Sequence, residues 1–110
     1  MVDPATISSV KNYLRYLSEQ GVDATFAVLF GSRATGRADE WSDIDVVIVS
    51  PVFDRSFSRE LVNRLWRVAA RVDSRIEPVP CGERQWREDD VSPVLEVVRK
   101  EGVRVSLEED

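Results

Sequence analysis

Apolar residues at Ile7, Val10, Leu14 and Leu17 recur at helical spacing behind an Asp3-Pro4 start, and Gly21 follows as a stop. This pattern predicts an amphipathic helix over about residues 4–20. The unbroken run Phe26-Ala27-Val28-Leu29-Phe30 ends at a glycine and predicts a buried strand. Residues 31–41 are polar and turn-rich, with a short helix opening after Gly31 and released at Gly36. From Asp43 to Val49 the chain becomes β-branched and predicts a second strand, ended by Pro51. Leu61, Leu65, Val68 and Val72 mark a helix over about 57–72. Residues 75–79 form a third strand, closed by Pro78 and Pro80. Ser92-Pro93 opens a last helix, whose apolar side is Val94, Leu95, Val97 and Val98; Arg99 and Lys100 suit its final turn and Gly102 stops it. Val103 to Val105 predicts a short edge strand. The order of elements gives an α+β domain of two layers.

At 110 residues the chain is expected to be one domain, 1–110, with room for one core and none for a second substrate domain. A hydrophobic share of 43% beside 32% charged residues excludes a disordered chain. The net charge of −5 argues against general nucleic-acid binding, though a divalent metal can reverse the local sign for a nucleotide. The absence of histidine removes Ser-His-Asp and Cys-His mechanisms and histidine metal sites. The single cysteine, Cys81, reads as an inert filler. No apolar run approaches a membrane span and the start carries no signal pattern, so a reduced, cytoplasmic setting with no membrane contact is expected. The tail Glu108-Glu109-Asp110 is expected to be disordered.

Chemistry concentrates between Gly31 and Asp45. Strand side chains alternate, so Asp43 and Asp45 project from one face and can share hard cations; magnesium or manganese suits oxygen-only ligands. Two solvated acids at a strand entry would look the same. Gly31 lets backbone approach a ligand, Ser32 adds a hydroxyl donor, and the amides of such a turn can bind phosphate. An ordinary strand-to-helix turn is the alternative. Arg33 and Arg37 can reach a triphosphate or stay solvated. The loop matches neither a Walker A sequence nor a dinucleotide fingerprint.

Together the two elements are more specific than either alone. Gly31-Ser32, ten residues, then Asp43-Ile44-Asp45 resembles the core motif of the DNA-polymerase-β-like nucleotidyltransferase superfamily. The small size and the Ser92-Pro93 helix ending at Glu101-Gly102 are similar to its minimal nucleotidyltransferase branch, which includes antitoxins paired with HEPN-type toxins. The resemblance implies a mixed sheet with helices packed mainly on one face. It implies that Gly31, Ser32 and Arg33 bind the nucleotide, and that Asp43 and Asp45 hold two magnesium ions, with manganese as a substitute. A third carboxylate on a later strand completes such sites and helps activate the acceptor hydroxyl. Glu77 stands at that position, where it reads either as ligand and base or as a surface acid beside Arg75; Asp73 is the lesser candidate.

The activity so implied is transfer of AMP from ATP to an acceptor hydroxyl with release of pyrophosphate. The leading acceptor is a tyrosine of a HEPN-type toxin, for which the chain would be the antitoxin. A non-catalytic binding module, a small-molecule nucleotidyltransferase and a homodimer without a toxin partner are the alternatives. Glu60, Arg64, Arg67 and Arg71 read as a solvated helix face with internal pairing, or as a contact for an acidic partner. Trp41, Trp66 and Trp86 read as core-edge residues or as partner anchors.

Overall fold

The computed structural model describes residues 2–107; the acidic tail lies outside them. The chain forms α1 (Pro4–Glu19), β1 (Phe26–Phe30), α2 (Ser32–Thr35), β2 (Ile44–Val49), α3 (Val52–Arg55), α4 (Arg59–Val72), β3 (Ile76–Cys81), α5 (Glu83–Glu88), α6 (Pro93–Glu101) and β4 (Val103–Val105). The caps at Asp3 and Ser92 are those the sequence predicts, and Ser58 adds a third. Asp3 accepts from the Ala5 amide, Ser58 from Leu61 and Ser92 from Leu95, and prolines open α1 and α6.

The sheet order is β3-β2-β1-β4. β1 runs antiparallel to both β2 and β4, whereas β2 and β3 are parallel. This is the mixed sheet expected of the fold. Alternation divides its two faces. Ala27, Leu29, Ile44, Val46, Ile48 and Ile76 point into the main core, where Val10, Tyr13, Leu14 and Leu17 of α1 and Leu65, Val68 and Ala69 of α4 cover them. The Tyr13 hydroxyl donates to the Leu65 carbonyl at 2.8 Å and so joins the two covering helices. Phe26, Val28, Val47, Val49 and Cys81 face the other way, against Leu95 and Val98 of α6 and Trp86 of α5. The larger helical layer lies on one face, and the shorter α5 and α6 cover part of the second.

Two expectations need correction. β3 runs through Pro78 and Pro80 to Cys81. The residues of β3 that bond β2 are the odd-numbered ones, as the Arg75 and Cys81 carbonyls accepting from Ile44 and Ser50 show. Both prolines therefore turn their missing N–H groups to the outer edge, where no ladder bond is lost. α3 and α5 are additional turns that apolar periodicity did not reveal. They meet through Asp54, whose carboxylate accepts from the Arg84 amide at 2.9 Å. Cys81 is buried, and burial pushes its thiol up to about 11, in keeping with an inert filler.

Candidate active site

The acids follow from the same alternation. In β2 the residues Ile44, Val46 and Ile48 occupy the core face, so Asp45 falls on the opposite face, and Asp43 lies two residues ahead of it. In the parallel pairing Asp45 stands opposite Glu77, and in the antiparallel pairing it stands opposite Phe30, the residue before the glycine loop. One register thus aligns the end of β1, the start of β2 and the start of β3.

The three carboxylates interact. The Glu77 carboxyl is within hydrogen-bond reach of both Asp43 and Asp45. Its pKa is raised above the ordinary value by partial burial first, then by the negative charge of Asp43 and the contact with it, and then by Asp45. Asp45 is also raised, by burial and then by the charge of Asp43, with partial relief from the Glu77 hydrogen bond. Three carboxylates so arranged repel one another, a repulsion that a divalent cation would relieve, and their donors are all oxygen, which fits magnesium or manganese. Among the described residues they do not close into a ready-made cation cage. Asp73, the lesser candidate, is engaged elsewhere: it accepts from Arg75 at 2.7 Å and from the Ser9 hydroxyl at 3.0 Å.

The loop reaches the acids at Gly31. This residue has φ +77°, and a Cβ built there would lie 2.6 Å from Asp45 Oδ2. Only glycine takes that conformation at little cost and leaves the carboxylate its space. Ser32 opens α2, whose first turn leaves its leading amides without intrahelical partners. Thr35 and Ala34 donate back to the Gly31 carbonyl, which holds the turn shut.

Arg33 is turned inward. It is 7% exposed, and its guanidinium donates to the Thr6 hydroxyl at 3.2 Å and to the Ser42 carbonyl at 2.7 Å. Arg37 is exposed. Of the tryptophans, Trp41 is 81% exposed, two residues before Asp43 in the chain, and Trp66 is exposed on α4. Trp86 packs edge-on against Phe26, with ring centroids 5.6 Å apart. Glu60 pairs with Arg64 at 2.6 Å and with Arg67 at 3.0 Å on an exposed surface, as a solvated helix face requires. Sequence reasoning missed Arg75, which reaches across to donate to the Glu40 carbonyl at 3.0 Å. Its place two residues before Glu77 was the available signal.

A mixed four-stranded sheet that carries a glycine-serine turn beside three acids defines a nucleotidyltransferase-type fold. The family model described as nucleotidyltransferase domain matches residues 10–109, and the chain belongs to that family. Among solved structures it is similar to a Sulfolobus solfataricus protein whose nucleotidyltransferase role is itself an assignment. That match has 18% identity and a TM-score of 0.61, covering 91% of this chain and 78% of the other. It is also similar to a toxin–antitoxin structure with AMP-PNP, at 21% identity and a TM-score of 0.58, covering 89% of this chain and 75% of that one. No curated protein sequence matches. Among the described residues no helix is long and apolar enough to cross a membrane.

Proposed function

We propose that the protein transfers AMP from ATP to an acceptor hydroxyl and releases pyrophosphate, with magnesium bound by Asp43, Asp45 and Glu77. The observation that carries this reading is the register that sets Asp45 against both Glu77 and Phe30, with Gly31 in contact with Asp45. Phosphate donors and metal ligands are then neighbours on one end of one sheet.

In this reading Ser32 and the first amides of α2 hold the β- and γ-phosphates. Bound magnesium supplies charge neutralisation on the reacting phosphate and on the leaving pyrophosphate. The acceptor oxygen forms its bond to the α-phosphorus while the bond to the pyrophosphate oxygen breaks in line. Glu77, whose pKa is raised by partial burial and by the neighbouring acids, takes the hydroxyl proton. The part first expected of Arg33 changes: its guanidinium is committed to Thr6 and Ser42, so it serves the loop rather than the phosphates.

For the acceptor, the resemblance to minimal nucleotidyltransferases and the toxin–antitoxin neighbour support a protein partner of the HEPN type. Co-purification of the chain from its native cell, followed by intact-mass measurement of what comes with it, tests acceptor and activity together. The partner is expected to gain one or more AMP units, and to gain none with Asp43→Asn. A second reading, a non-catalytic binding module, rests on the absence of a ready-made cation cage among the described residues. Nucleotide binding that ignores magnesium in calorimetry would select that second reading.

A further inference from the structure

We propose that Arg33, together with Arg75, is a positioning residue that fixes the phosphate loop against the carboxylates. The inference rests on the nucleotidyltransfer reading above and deepens it.

Ser32 and Asp43 stand at the two ends of a loop whose residues Arg37, Asp39, Glu40 and Trp41 are exposed. Such a segment has few packing contacts of its own to hold its ends at a set distance. Beyond its own Asp39–Ser42 turn, two arginines tie it to the rest of the fold. Arg33 directly follows Ser32, and its Nη2 donates to the carbonyl of Ser42, directly before Asp43, at 2.7 Å. The same nitrogen makes a longer contact of 3.5 Å with the Glu40 carbonyl, and Nη1 reaches Thr6 on α1. Arg75, two residues before Glu77, donates to the same Glu40 carbonyl at 3.0 Å. Its Nε and Nη2 donate to Asp73, which is itself anchored by Ser9 of α1. The neighbour of the phosphate-loop serine and the neighbour of the third acid therefore grip one stretch of backbone, and that backbone leads into Asp43.

The chemistry of Arg33 supports a positioning part over a stabilising one. Its guanidinium is buried, yet its partners are a hydroxyl and two carbonyls, all neutral; among the described residues it forms no ion pair, and its Nε has no hydrogen-bond partner. A buried cation satisfied so incompletely costs stability, and an apolar residue of similar length would often be cheaper there. Such a cost is expected where a side chain fixes a working geometry. Peptide carbonyls as partners also mean that the arginine fixes backbone, which sets where the next side chain projects.

The test compares the full-length chain with Arg33→Met and Arg33→Lys by melting, amide hydrogen exchange, and calorimetry with ATP in the presence and absence of magnesium. Arg33→Met is expected to fold, and to exchange faster across residues 31–43 while β1 and β2 keep their protection. The factor by which magnesium tightens ATP binding is expected to fall about tenfold, a typical size for a site-to-site coupling. Metal-free ATP binding should stay nearly unchanged. Arg33→Lys, which keeps the charge but not the fork, should recover only part of the coupling. Unchanged coupling in folded Arg33→Met overturns the proposal. An equal loss of metal-free ATP binding also overturns it, because Arg33 would then be a phosphate ligand. If the wild-type chain binds no magnesium–ATP, the nucleotidyltransfer reading fails, and the exchange rates across 31–43 alone decide the clamp. Should Arg33→Met not fold, Arg75→Met breaks the same grip from outside the core and is judged by the same readings.

Discussion

Asp45 has a raised pKa because it is partly buried and faces Asp43, so its charge works against the metal-free fold. Asp45→Asn removes that charge at nearly constant shape. The variant is expected to melt at or above the wild-type temperature in metal-free buffer while losing magnesium-dependent nucleotide binding. A large fall in melting temperature would mean that the carboxylate is there for the fold. Gly31→Ala is expected to have the opposite effect on stability. Its φ of +77° and the 2.6 Å approach to Asp45 add backbone strain to a displaced carboxylate. A destabilisation of about 1–3 kcal/mol is expected, together with weakened metal binding. Urea unfolding and calorimetry measure the two effects separately. Both acids and the glycine were legible as residues. The inward turn of Arg33 was not, because a four-residue helix gives too little periodicity to say which way each side chain points.

The larger elements announced themselves through period, caps and stops: α1, α4, α6, β1 and β2 all lie within a residue or two of their expected bounds. β3 was cut short, since a proline pair reads as a strand end unless the strand is known to be an edge, and edge position is a property of the sheet. α3 and α5 are brief, and α5 buries none of its residues fully, so neither leaves an apolar stripe to find. One junction offers a sharp test. A Cβ at Gly102 would run into the Val28 side chain and the Val98 carbonyl, and would lie 3.1 Å from the Leu29 carbonyl. Gly102→Ala is therefore expected to push α6 away from β1 and to destabilise the chain by about 1–3 kcal/mol. The loss should appear in urea unfolding as a lower midpoint at an unchanged slope. A wild-type midpoint would show that this corner can give way.

Across the whole molecule, Asp73 joins the start of β3 to α1 through Arg75 and Ser9, and these partners hold its carboxyl down at about 2. A depressed acid adds stability above its unfolded value near 4, and loses it as the pH falls toward 2. With Arg75 partly exposed, the contribution is about 1–2 kcal/mol. Acid unfolding of wild type and Asp73→Asn is expected to differ by this amount near neutrality and to converge by about pH 2. Parallel curves over that range would show that the Asp73 ion pair is screened. Hydrophobic period and motif spacing by themselves determined the main elements, the two acids and the glycine-serine turn, because each is written in residues close together in the chain. Only the tertiary structure decided that Glu77 meets Asp45 and that Arg33 and Arg75 grip the same loop. Those facts depend on strand order, register and packing, which bring Glu77 to Asp45 and Arg75 to Glu40 from distant parts of the chain and turn Arg33 back onto its own loop, and no local pattern records them.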